Sequence, residues 1–164
     1  MFRFISFIKF LLTSNNQHGV HSPFVYDYIT KCLYLKKELK LPATLKVIIK
    51  SIGYFEYKSV FLVDNYKTSE EIIKQHCNNI TLVENNADII LAQINELEKI
   101  NIDFSKLPND CMLLLNGIHQ NKSNQEIWEY LKTHEHVRVT IDMFYCGAVF
   151  FRKEQVKEHF KIRI

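Results

Sequence analysis

The sequence of 164 residues predicts an α/β domain, with a mostly parallel sheet flanked by helices and closed by an antiparallel hairpin. Three observations carry this expectation. Residues 60–63 and 111–115 are short continuous apolar runs, the pattern of strands covered on both faces, and residues 80–83 make another strand. The stretches between them carry helix-start signals and helical spacing of apolar residues. Near the end, residues 137–144 and 148–152 are two β-rich runs separated by Tyr145-Cys146-Gly147, which reads as a hairpin with a glycine turn.

Taken in order, residues 1–12 form a helix in which Arg3, Ser6 and Lys9 recur every third position. This gives a narrow polar stripe and a wide apolar face. Such a face needs cover, from its own domain, a second copy or a membrane surface. The segment lacks a cleavage site and carries two charges, so it fits neither a signal peptide nor a spanning helix. Asn15, Asn16 and Gly19 mark a turn, and Ser22-Pro23 caps and opens a second helix that runs to about Tyr34. His18 and His21 flank that turn without a Cys, Asp or Glu to complete a metal set, and are read as turn residues. Pro42 opens a third helix, which Gly53 is expected to end.

The stretch 58–84 then reads as strand, loop, helix and strand. Thr68 to Glu71 has capping-box spacing, and the helix runs to near Cys77. Residues 88–93 fit a third parallel strand leading to a short helix at 95–100, or else the first half of one longer helix. The strand is favoured. A helix over 123–134 should turn Ile127, Trp128 and Leu131 toward the sheet. The tail 154–164 reads as a docked helix or a frayed end.

Length and composition, 47% hydrophobic and 24% charged, suit one core. We read a single domain, with an N-terminal helical part (1–57), an α/β core (58–153) and a basic tail. A net charge of +3 with scattered Lys and Arg gives no nucleic-acid footprint. Cys32, Cys77, Cys111 and Cys146 form no C-x-x-C pair and sit in or beside apolar segments. That fits reduced, buried thiols in a cytoplasmic protein without a transmembrane segment.

A parallel α/β sheet closed by a C-terminal antiparallel hairpin resembles the Rossmann-like class I S-adenosylmethionine-dependent methyltransferases. Residues 18–25 (HGVHSPFV), 139–144 (VTIDMF) and 147–155 (GAVFFRKEQ) are similar to a divergent bacterial group of methyltransferase-like proteins. The middle is short for the complete fold, so the resemblance implies one missing strand-helix unit.

The resemblance also implies a cofactor, S-adenosylmethionine, held by the loop after the first strand, here Asp64, Asn65 and Thr68, and by an acid ending the second strand, here Glu84. The family's loop is glycine-rich. Asp64 stands at its first glycine and Thr68 near its second. A β-carbon where positive φ is required costs about 1 kcal/mol or more and fills space the ligand needs. Where the metal-dependent branch carries acids, this chain has Gln93, Asn116 and Gly117, and neutral amides are poor ligands for a hard cation. No metal is expected, and the catalytic residues are unassigned. His119 is read as either the one general base left nearby or a loop residue. Three readings of activity follow: a degenerate pseudoenzyme acting through protein contacts, as partner or homo-oligomer; an active methyltransferase on a small molecule; and a peripheral membrane or assembly protein using the N-terminal helix.

Overall fold

The computed structural model describes all residues except 37–38, 64–66 and 101, together with the side chains of residues 67 and 98. Its helices are α1 (Phe2–Thr13), α2 (Pro23–Tyr28), α3 (Ala43–Phe55), α4 (Lys67–His76), α5 (Leu97–Ile100) and α6 (Lys122–Thr133). The strands are β1 (Ser59–Leu62), β2 (Thr81–Leu82), β3 (Ile89–Gln93), β4 (Met112–Asn116), β5 (Val139–Asp142), β6 (Cys146–Phe150) and β7 (Glu158–Lys161). Among the described residues these seven strands form one mixed sheet in the order β2-β1-β3-β4-β6-β5-β7. β6 is antiparallel to both neighbours, and every other pairing is parallel. The architecture is α/β and Rossmann-like, with the carboxyl ends of six strands on one edge.

The two-residue period of a strand sends alternate side chains to opposite faces, and the core divides accordingly. Ile89, Leu91, Met112 and Leu114 join the cluster under α2, α3 and α4. Ile90, Ala92, Leu113 and Leu115 join the cluster under α5 and α6, with Trp128 and Leu131 buried there as expected. Both faces are covered, which is why the strands read as unbroken apolar runs. Residues 88–93 contain the strand β3, and the short helix after it begins with a 3-10 turn at Ile94–Glu96. All four cysteines are buried, and none is in a disulfide. Loss of water pushes the thiols of Cys32, Cys111 and Cys146 up to about 12.

The second helix opens on Ser22, whose Oγ accepts the Val25 N–H, and its last turn is a π-helix at Ile29–Leu33. Five expectations need correction. α3 runs past Gly53 to Phe55 and stops at Glu56, which takes the left-handed conformation (φ 56°) that the glycine was expected to supply. Thr68 lies inside α4 and does not precede it. The hairpin turns at Met143–Tyr145, with Phe144 at φ 67°, while Gly147 is a strand residue. The tail holds a strand, β7, which adds to β5 in parallel and bridges Ile162 to Asn15.

The fifth concerns α1. Only Ser6 and Phe10 of this helix are buried. The helix docks through Ser6, Phe7 and Phe10, so its own domain covers only part of the wide apolar face and leaves the rest exposed.

Candidate functional site

In a sheet of this kind ligands bind outside the carboxyl ends of the strands, where successive connections leave in opposite directions. Here β1 is followed by β2 on one side and β3 pairs on the other, so that point lies at the ends of β1 and β3. Asp64 and Asn65 lie outside the described residues. Thr68 is exposed in the first turn of α4, and Glu84 is exposed in the bend after β2, on the same edge.

The neighbouring strand ends are tied to one another. Gln93 and Asn116 are register partners in β3 and β4. The Thr44 hydroxyl at the start of α3 donates to Asn116 Oδ1 (2.6 Å), and Asn116 Nδ2 donates to Gln93 Oε1 (3.2 Å). Each amide spends hydrogen-bonding capacity on its neighbour. Beyond β4 the chain turns at Gly117, whose φ of +77° suits glycine alone. A β-carbon there would meet Gln120 Oε1 at 3.0 Å. The Gly117 carbonyl accepts from Asn124 Nδ2 and from the Gln120 N–H, and Asn121 caps α6 through the Asn124 N–H.

The turn delivers His119 into the interior. At 5% exposure it is no surface loop residue. Its Nε2 lies 2.8 Å from Asp142 Oδ2, and its Nδ1 lies 2.7 Å from Ser6 Oγ. A carboxylate accepts, so Nε2 carries the proton toward Asp142. In the neutral ring Nδ1 then accepts the Ser6 hydroxyl. The other Asp142 oxygen accepts the Phe144 N–H (2.9 Å). Phe144 stacks on the imidazole at 5.0 Å with planes 10° apart, and meets Phe7 and Phe10 of α1. A bulky residue at positive φ stores strain, which these contacts offset.

Beside this group is a cavity of ≈ 270 Å³ at the amino end of α3, walled by Arg3, Thr44, Asn116, His119, Gln120 and Tyr145 among others. Ser hydroxyl, imidazole and carboxylate stand in the order that activates a serine in hydrolysis. The enclosure argues for a different role. Ser6 is 6% exposed in the body of a helix and does not line the cavity, and both imidazole nitrogens are already engaged. A nucleophile needs room for the atom it attacks, and a base needs a nitrogen aimed at substrate. The array is a clamp that fastens α1 across the carboxyl edge.

Sequence reading missed Ser6, Thr44, Asp142 and Phe144. The available signal was a serine in the polar stripe of the first helix and an acid closing a buried strand. The pairing of Ser6 with His119 across 113 positions is written only in the fold. Among the described residues no three His, Cys, Asp or Glu side chains are grouped to hold a metal ion. No helix among them is long and apolar enough to cross a membrane. Comparison of the chain with protein-family models and with curated proteins returns no match.

Proposed function

We propose that this chain is a shortened methyltransferase-like domain with a degenerate cofactor site, binding S-adenosylmethionine weakly or not at all and acting through contacts with other proteins. The observation that carries the reading is the relay from Thr44 to Asn116 to Gln93. Two positions where the resemblance implies charged oxygens for a cation or acceptor hold neutral amides, already bonded to each other and to the α3 terminus. Two features of the sheet lend support. A C-terminal antiparallel hairpin, β5 with β6, follows β4 in the sheet, with β7 outside it, and a single short strand, β2, lies beyond β1, as a missing strand-helix unit implies.

Calorimetric titration of the full chain with S-adenosylmethionine and with S-adenosylhomocysteine tests the proposal. Dissociation constants of about millimolar or weaker are expected. Micromolar binding to either would overturn the degenerate reading. It would favour the second one, an active small-molecule methyltransferase, for which exposed Glu84 at the ligand-binding edge is the supporting residue. In that case Glu84→Ala should abolish the heat, since an acid there would hold the ribose hydroxyls.

A further inference from the structure

A helix packed through Ser6, Phe7 and Phe10 leaves most of its surface outside. In α1 Phe4 (68% exposed), Ile5 (46%), Ile8 (43%), Leu11 (40%) and Leu12 (81%) share one continuous arc facing away from the sheet. Single exposed apolar residues need no explanation, but five on one helical face do.

Charge identifies what covers them. The chain has no Asp or Glu before Asp27, so α1 and the turn after it are free of acids. Basic groups border the arc on one side. Lys9 is exposed there, one turn from Ile5 and from Leu12. Lys161 extends that flank, its Nζ 3.5 Å from Thr13 Oγ1 at the end of the helix. Arg3 lies on the docked side, its guanidinium 6.0 Å from the Tyr145 ring. Long basic side chains beside an apolar face can bury their stems while the charge reaches headgroup phosphates. A second copy of this face fits poorly, because self-pairing sets one acid-free rim against another.

We propose that the exposed face of α1 docks on an anionic phospholipid surface, with the apolar arc entering the acyl boundary and Lys9 and Lys161 engaging headgroups. The proposal stands independently of the cofactor reading, since it uses no residue of the sheet edge as a ligand.

The test is co-sedimentation of the full chain with phosphatidylcholine vesicles with and without phosphatidylserine, at low and high salt. Binding to the serine-containing vesicles that weakens with salt is expected. Leu12→Glu or Phe4→Glu should lower the partition coefficient about tenfold or more, and Lys9→Glu about fivefold or more. Because these side chains are exposed, circular dichroism and melting temperature should match the parent. Failure to pellet with either vesicle overturns the proposal, as does equal pelleting with both, or binding indifferent to Leu12→Glu. Self-association that Leu12→Glu abolishes, without vesicle binding, assigns the face to a second copy and also overturns it.

Discussion

A β-carbon added at position 147 would sit 2.4 Å from the Trp128 ring. The sequence suggests a turn glycine there, because glycine between two β-rich runs usually supplies positive φ. The requirement is instead one of space: β6 passes under α6 so closely that the buried indole lies on bare backbone. Gly147→Ala is therefore expected to lower stability by about 1–3 kcal/mol through overpacking, read from the denaturation midpoint. In a Trp128→Phe background the smaller ring should return part of that loss. Equal losses in both backgrounds would show that the indole is not the obstacle. Among the described residues the buried indole N–H has no hydrogen-bond partner, so Phe forfeits no hydrogen bond to them. Residue-level reading fails in the same way at Phe144 and Glu56. Propensity names the residue that most easily takes a left-handed conformation, while tertiary contacts decide which residue does.

Elements are more legible than residues, since periodicity reports burial over several positions at once. The runs at 60–63, 88–93 and 111–115 are found as strands because both faces of each are covered and few alternatives fit an apolar run of that length. β7 escapes this reading. It is an edge strand whose residues are only half-buried or exposed, so it carries polar side chains and no alternation strong enough to register. Its hold on the sheet includes a polar contact, Thr140 Oγ1 to His159 Nδ1 at 2.9 Å, between register partners of β5 and β7.

Partial burial, and then nearby Lys132 and Lys157, hold the His159 imidazole below its ordinary value of 6.5. The unfolded chain therefore binds the proton first as pH falls. His159 contributes stability that is complete above about 6.5 and is lost as pH drops through the lower folded value. Mild acid should depress the melting temperature of the parent more than that of His159→Gln. A parallel pH dependence in the two proteins would remove His159 from the account.

Across the whole molecule, the sheet edge that a Rossmann-like fold offers to ligands is crossed by its own N-terminal helix. That crossing explains why the site was the least legible part of the chain. Asp64, Asn65, Thr68 and Glu84 follow from counting along one strand-helix-strand unit. Ser6, His119 and Asp142 come from three separate segments and meet only after the sheet is assembled.

α1 itself buries little apolar surface, so the Ser6 hydrogen bond is a large share of what keeps it docked. Segments held by few buried contacts open on their own, below the free energy of global unfolding. The amides of α1 should accordingly exchange through a smaller opening free energy than those of β3 and β4, which lie in both cores. Ser6→Ala leaves the His119 Nδ1 without its partner in a buried place, a cost of about 1–3 kcal/mol. Native-state hydrogen exchange should locate that loss in α1 and leave β4 unchanged. Were β4 to lose the same amount, α1 would belong to the global cooperative unit. The helix would then be an integral layer of the fold, and its closing of the sheet edge a requirement for folding rather than a separable latch.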